Sequence, residues 1–564
     1  MSIARSELKS EKFKGLLTGR RLATVHPGVV LLEDFIEPLG ITRYRLAKAI
    51  GVQQRRIDEI CAGKRGISAE TAVRLGLAFG VDPQFWLNLQ AQYDIEVIQR
   101  EQGAQALVVD EAADDGARMA DIHVAMQDAD AYTVLARAEK LLVGLGFGPL
   151  ALLVIDHFVL EKGQLLVENH QVKKILASFS VRPGARTAAE AQIIAGELAV
   201  ELIPQGILVE RCRAGGAGIP AFYSPTGVGT EISNGKEHRE FNGRQYVLEP
   251  AIHLDYAFLR GYRADRLGNV QFRGGSQNFN PAFGKAARIA IVEVDEIVEP
   301  GVIPPELIDL PGIFVERVML TKETMDGKAY RRPERRPSDK PRLYNNKPAV
   351  TRQQIAKNAA KLVREHTYVN LGVGIPTMVS NYLKGRDVIL HAENGVLGYG
   401  EMVTEEKDID PDVYNAAGQF VALQPGASFF DSVTSFEMAR GGHIDTVILG
   451  AYEVDGTASV ANWSTADAKR GGIGGAMDLL SGKGDLIIVM EHTDSKGRPK
   501  LRKKCSYPLT GQGCVSYVVT DLAVMRWDGK RFVIDAVAPG FTADEIIAMT
   551  EMELVAGPNV KNME

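Results

Sequence analysis

Residues 388–400 read VILHAENGVLGYG. An apolar, strand-like run ends on a carboxylate, Glu393, and is followed by Asn394, Gly395, Gly398 and Gly400. A run of this kind bounded by Asn-Gly predicts a buried strand closed by a tight turn. A carboxylate has its ordinary pKa far below 7, so it is ionised without help from a base and can attack an activated carbonyl directly. The glycines would let backbone come close around it. The competing reading is a plain turn with a solvated acid at its tip, which an isolated Glu-Asn-Gly usually is. His391, two positions earlier, invites the role of general base. A carboxylate nucleophile needs none, so a structural or substrate-orienting role is expected for it.

The chain that must position these residues has 564 residues, 45% hydrophobic and 24% charged, with a net charge of −6. That size predicts several domains, and that balance predicts a folded protein without a global polyanion partner. The four cysteines lack metal-ligand spacing and suit a reducing cytosol. The first residues lack a signal-peptide core, and the apolar run Leu141–Ile155 is broken by three glycines and a proline. A cytoplasmic protein with no membrane partner and no metal site is therefore expected. Glycine clusters (RAGGAGIP, TGVGT, LGVGIP, GGIGGAMD) alternate with β-branched runs such as AARIAIVEV, DTVILGAYEV and DLIIVMEH, and with helical periods such as Thr351–Arg364. The fold class expected is α/β in two halves, preceded by a small all-α domain. The polar, proline-bearing stretch around KAYRRPERRPSDKPRLYNNK predicts a hydrated linker over 322–350. Cys505, in LRKKC, reads either as a thiol activated by basic neighbours or as a resting structural thiol, the second being expected.

Residues 1–100 differ in kind. ITRYRLAKAIGVQQRRIDEICAGKRGIS predicts short helices, with Gly51 at the turn between two of them. Residues 43–66 hold seven basic side chains against two acidic ones. Gln53, Gln54, Arg55 and Arg56 open the second helix, where a DNA-reading helix presents side chains to base edges and phosphates. The whole of 26–96 resembles the HigA-type antitoxin repressors of the Xre helix-turn-helix family, through HPGVVLLEDFIEPLGITRYRLAKAIGV, RRIDEICAGKRGIS and FWLNLQAQYD. The resemblance implies dimeric operator binding, with Gln53, Gln54, Arg55 and Arg56 as the contacts.

From about residue 171 to 555 the chain resembles class I coenzyme A transferases of the succinyl-CoA:3-oxoacid type, with both halves in one polypeptide. The first half (171–321) carries GELAVELIPQGILVERCRAGGAGIPAFYSPTGVGT, REFNGRQYVLE, ADRLGNVQFR and NFNPAFGKAA. The second half (351–564) carries VNLGVGIPT, HAENGVLGYG, LQPGASFFDS, ARGGHIDTVILGA, ANWSTADAKRGGIGGAMDLL and CSYPLTG. The resemblance implies that Glu393 is the nucleophile and that it forms a glutamyl-CoA thioester. The oxyanion donors it implies are Gln205 and the backbone N–H of Gly475. Asn394, Gly395, Gly398, Gly400 and Gly474 would shape the pocket and admit the pantetheine arm. A CoA ester is then a substrate, no cofactor is held permanently, a short carboxylate is the second substrate, and self-association as a dimer is expected.

Between the two resemblances, residues 101–170 predict a helical seam. Ala117–Phe147 is loosely similar to a helical stretch of ABC-F ATPases but has no phosphate-binding GxxxxGK[ST] loop, so nucleotide hydrolysis is not expected. LVGLGFG (142–148) stands where the family has a Gly-Gly-Phe-Gly loop, and the family's Asn-Asn-Ala-Gly segment is absent. The short distance from that loop to Gln171 predicts that the usual helix and strand are replaced or lost. The alternative this leaves is a DNA-binding repressor fused to an inactive or CoA-ester-sensing transferase.

Overall fold

The computed structural model describes residues 26–94 (apart from 38–39, 80, 82, 84 and 91–92), 151–155, 164–180, 188–321, 340–403, 405, 408–465 and 471–564. Residues 117–147 and the glycine loop at 142–148 lie outside the described residues. The chain divides into two compact units, Met1–Asp121 and Ile122–Glu564.

In the first unit, α1 (Pro27–Val30) runs into a π-helical turn, Leu31–Ile36, and is followed by α2 (Arg43–Ala49), α3 (Gln54–Cys61) and α4 (Ala69–Phe79). The Thr42 hydroxyl caps α2 by accepting from the Arg45 amide at 3.1 Å. Gly51 makes the turn into α3 with φ +67°, a conformation that costs a glycine least. Leu31, Leu46, Ile57, Ile60, Leu75 and Trp86 share one buried cluster. A Cβ on Gly28 would stand 1.7 Å from the Ile60 carbonyl oxygen, so α1 and α3 touch backbone to backbone only because that side chain is missing.

The second unit begins with a parallel sheet, β1 (Ala151–Ile155), β2 (Val172–Ala177) and β3 (Ala199–Leu202), with α5 (Gln164–Glu168) and α6 (Ala188–Ala195) between the strands. This corrects the expected helical seam up to residue 170, because a strand and a helix fit between Pro149 and Gln171. A five-residue apolar run such as ALLVI has no periodicity that separates strand from helix. Next come α7 (Gln205–Gly216) and an antiparallel sheet of β4 (Ala221–Ser224), β5 (His238–Phe241) and β6 (Arg244–Pro250). Then β7 (Leu254–Asp265), β8 (Val270–Gln271), α8 (Asn280–Ala286), β9 (Ala287–Val298) and β10 (Arg317–Leu320) complete the half, with β7, β9 and β10 parallel.

The second half opens on a short hairpin, β11 (Leu343–Tyr344) and β12 (Lys347–Pro348). These residues were expected within the linker. Instead the Tyr344 hydroxyl donates to Asp521 at 2.9 Å, Arg342 donates to the Thr493 and Asp494 carbonyls, and Ala349 and Val350 join the core. Arg342, Tyr344 and Lys347 are polar because they bond inside the domain, while Asn345 and Asn346 stay exposed at the hairpin turn. After α9 (Arg352–Ala360), β13 (Thr367–Leu371), α10 (Ile375–Met378), β14 (Val388–Ala392), β15 (Val396–Met402) and β16 (Val421–Phe429) come α11 (Ser432–Arg440), β17 (Thr446–Leu449), β18 (Glu453–Asp455) and β19 (Val460–Ala461). The chain continues through α12 (Ala476–Leu480), β20 (Asp485–Val489), β21 (Leu501–Arg502), β22 (Tyr517–Val519), β23 (Ala523–Trp527), β24 (Phe532–Val537), α13 (Ala543–Ala548) and β25 (Leu554–Asn562). Ten strands form one sheet in the order β16-β15-β14-β13-β17-β20-β22-β23-β24-β25. β14, β13, β17, β20 and β22 are mutually parallel. The chain moves outward from β13 to β14, then returns to place β17 on the other side of β13. Ligands of open α/β sheets sit beyond the carboxyl ends of strands near such a reversal, and Glu393 follows the carboxyl end of β14.

His492, just past β20, is fully buried between the Thr520 and Thr550 hydroxyls, and burial pulls its pKa down to about 4. The folded state therefore holds the neutral ring. Stability from this group is present above about pH 6.5 and is lost as pH falls toward 4, by up to about 3 kcal/mol. His492→Gln should flatten the fall of the denaturation midpoint between pH 6.5 and 4. An unchanged pH profile would contradict the assignment.

Candidate active site

β14 delivers Glu393 at the first position of a turn, 393–395, that reverses the chain into antiparallel β15. The Gly395 amide donates to the Ala392 carbonyl at 3.0 Å and its own carbonyl accepts from the Phe430 amide at 3.1 Å. Gly395 has φ +113°, and a Cβ there would stand 2.1 Å from the Phe430 oxygen. The Asn394 side chain donates to the Tyr414 carbonyl at 2.9 Å and pins the turn from outside. Glu393 is half-buried, with Oε2 shielded from solvent. The buried Tyr399 phenol lies within its field: burial, then the Glu393 charge, push that phenol's pKa up, so it keeps its proton. Tyr399 was not singled out by sequence, and the GYG context was its only signal. Gly398 and Gly400 lie along the β15–β16 pairing, against Ala427 and Gln424, not at the turn.

His391 is fully buried, stacked on Phe430 at 6.1 Å, and accepts at Nδ1 from the Asn370 amide at 3.0 Å. That fixes the neutral tautomer with its proton on Nε2, donated to Ser435 Oγ at 3.1 Å. Burial lowers its pKa to about 4. The ring ties β14 to α11 and is structural.

Gln205 and Gly475, the oxyanion donors expected from sequence, are brought together across the two halves. Gln205, buried at the start of α7, donates its backbone N–H to the Gly474 carbonyl at 2.9 Å. Its side-chain oxygen lies 3.4 Å from where a Cβ on Gly475 would be, and that Cβ would press on Phe436 at 2.8 Å. Gly475 caps α12, and Gly474 takes φ +56°. The 471–474 strip docks on the end of β2, where the Ile473 amide donates to the Ser178 carbonyl at 2.9 Å. Helix α11 connects the two clusters, with Ser435 on His391 of the Glu393 strand and Phe436 against Gly475. The first half also closes on the turn itself: Arg273 bonds Asp410 and Asp412, the Asn278 carbonyl accepts from the Ser432 amide at 2.9 Å, and a Cβ on Gly275 would lie 3.4 Å from Asn394 Nδ2. A carboxylate on such a turn can accept an acyl group, and amide donors such as those at the starts of α7 and α12 can stabilise the oxyanion that forms.

Residues 159–321 and 352–549 match the Coenzyme A transferase family, and residues 32–86 match the Helix-turn-helix family. The chain belongs to the coenzyme A transferase family. It is 41% identical over 421 residues to the mitochondrial succinyl-CoA:3-ketoacid coenzyme A transferase 2A of Mus musculus, covering 71% of this chain and 80% of that protein. The apoenzyme of the acyl-CoA transferase YdiF from Escherichia coli O157:H7 has the same fold, with a TM-score of 0.57 at 21% identity over 71% of this chain and 82% of that one. Antitoxin HigA of Pseudomonas aeruginosa, solved with the higBA promoter, is 32% identical over 16% of this chain and 98% of its own, with a TM-score of 0.15.

In the helix-turn-helix unit Gln53 is the N-cap of α3, and Gln54, Arg55 and Arg56 form its first turn. Gln53, Gln54 and Arg55 are exposed. Arg55 Nε donates to Glu59 at 2.8 Å and Arg56 to Glu70 at 3.3 Å. With Arg65 they line a surface cavity of about 520 Å³. Surface ion pairs of this kind are worth about 0–1 kcal/mol each, so a phosphate can displace them. Among the described residues, no helix is long and apolar enough to cross a membrane. Cys505 is not activated, since burial, Asp455 and Glu453 all push its thiol pKa up.

Proposed function

We propose that this protein moves CoA between an acyl-CoA of the succinyl-CoA kind and a 3-oxoacid or other short carboxylate, with Glu393 as the nucleophile. The carboxylate oxygen attacks the thioester carbonyl and CoA leaves as thiolate, forming an acyl-glutamyl anhydride. The thiolate then attacks the glutamyl carbonyl of that anhydride and expels the first acid, leaving a glutamyl-CoA thioester. A second carboxylate attacks the thioester carbon and releases CoA thiolate, which takes the new acyl group and restores Glu393. Each tetrahedral centre carries an oxyanion, and Gln205 with the Gly475 N–H supplies the donors, each worth about 3–4 kcal/mol. The observation that carries this proposal is the position of Glu393, on a glycine-closed turn at the carboxyl edge of the sheet, joined through α11 to the Gln205–Gly475 pair. Initial-rate kinetics with succinyl-CoA and acetoacetate test it. Parallel double-reciprocal lines are expected, and intersecting lines would contradict a covalent intermediate.

The match of residues 32–86 to the helix-turn-helix family favours a second activity for the first unit. Its α3 presents Gln53, Gln54, Arg55 and Arg56 to operator DNA, as a dimer on half-sites about 34 Å apart. Arg55→Ala with Arg56→Ala should weaken operator binding at least about tenfold and lower the slope of log affinity against log salt. Unchanged affinity and slope in a mobility-shift titration would remove the assignment.

A further inference from the structure

Asp478 lies in the first turn of α12, three residues beyond Gly475, and is completely buried. Its Oδ2 accepts from the backbone N–H of Gly206 at 2.9 Å. Its Oδ1 accepts from the Thr226 hydroxyl at 3.2 Å and faces Arg440 Nη1 at 3.4 Å. Gly206 directly follows Gln205, so a side chain on α12 satisfies an orphan amide in the first turn of α7. The same junction is closed in the other direction by the Gln205 amide on the Gly474 carbonyl. The approach depends on glycine, since a Cβ on residue 206 would stand 2.4 Å from Asp478 Oδ1 and 2.7 Å from Arg440 Nη1.

Burying a lone carboxylate beside a site where negative charge develops would oppose catalysis. Here the charge is answered. Arg440, on α11, reaches Asp478 and also Glu210 on α7 at 3.2 Å, and Glu210 accepts from Arg213 at 2.6 Å. The row Asp478–Arg440–Glu210–Arg213 alternates in sign and spans α12, α11 and α7. Thr226 also bonds Ser481 at 3.3 Å, and Arg244 donates to the Ser481 carbonyl, closing the cluster from the β4 and β6 side. Burial nevertheless pushes the Asp478 carboxyl up to about 6 against these lowering contacts, which marks a group held in place at a cost in solvation.

We infer that Asp478 is a positioning residue for transfer, holding the starts of α7 and α12 together so that the Gln205 side-chain amide and the Gly475 N–H converge on one oxyanion. The inference rests on the donor assignment made under Proposed function. Removing the clasp lets two helix starts from different halves drift, and a shift of about 1 Å at a reacting centre costs about a hundredfold.

The test uses the full chain carrying Asp478→Asn, with kcat expressed per site able to form the Glu393 thioester, so that misfolded protein does not count. The expected result is a tenfold to hundredfold fall in kcat, about the scale of a misplaced donor, with KM for succinyl-CoA changed less than about twofold. In a Gln205→Ala background the same substitution should cost several-fold less, because one donor it positions is already gone. If Asp478→Asn does not fold, Thr226→Val, which removes one bond to the carboxylate, should show a smaller fall of the same kind. Unchanged kcat per site, or equal losses in both backgrounds, would overturn the inference. Gln205→Ala transferring CoA at the wild-type rate would refute the donor assignment and this inference with it, whereas an impaired Gln205→Ala beside a normal Asp478→Asn would refute the role of Asp478 alone.

Discussion

Glu393→Ala is expected to lower CoA exchange between succinyl-CoA and acetoacetate by at least about 10⁴-fold, the scale on which loss of a catalytic nucleophile is felt. Among the described residues, the two titratable neighbours on the same hairpin offer no substitute. His391 is neutral and sealed between Asn370, Ser435 and Phe430, and Tyr399 is buried with its phenol held protonated. Glu393→Gln should be equally inactive, since a neutral amide cannot attack a thioester. Glu393→Asp keeps the charge but withdraws it by one methylene, more than the ~1 Å that already costs about a hundredfold. Its kcat should fall by two orders of magnitude or more while thermal stability stays near wild type. A variant of either kind that transfers CoA within tenfold of wild type would contradict the nucleophile assignment.

Gly395→Ala has the second-largest expected effect, by a different route. The backbone at 395 sits at φ +113° with the Phe430 carbonyl oxygen 2.1 Å from the missing Cβ. A methyl there strains the backbone by about 1–3 kcal/mol and must also displace the Phe430 carbonyl. Phe430 lies on His391 and shares a hydrogen bond with Gly395, so relieving the clash moves the turn that carries Glu393. The enzyme should lose more than about a hundredfold in kcat and a few degrees in melting temperature. Gly400→Ala is the matched control, because its Cβ would meet Gln424 at 3.4 Å and the Ala422 carbonyl oxygen at 3.6 Å, both ordinary contacts. Equal effects of the two substitutions would show that position along the hairpin does not matter.

The parts of this site that were legible in sequence are the ones that depend on local chemistry. Asn-Gly after a β-branched run announces a turn, and the turn is there at 393–395. The runs TVIL and DLIIV are strands because their apolar side chains on both faces are buried in the sheet. Thr351 followed by Gln354 is a capping box, and a helix starts on it. What sequence could not show depends on distant partners. Asp478 looks like an acid on a short helix until Gly206 and Thr226, far away in the chain, are seen to close on it. Residues 340–350 look like a polar linker until Asp521 and the Thr493 carbonyl supply their partners. The strand at 151–155 was lost in the opposite way, as an apolar run too short for its period to speak.

The proposed transfer passes through a covalent bond between Glu393 and CoA, and that bond can be located. The protein is incubated with succinyl-CoA alone, the thioester is converted with hydroxylamine or reduced with borohydride, and the peptide spanning residues 388–400 is sequenced by mass spectrometry. Modification is expected on Glu393, one per competent site, removed by prior addition of acetoacetate. A label on any other residue, or no label in protein that is actively exchanging CoA, would contradict the proposed transfer.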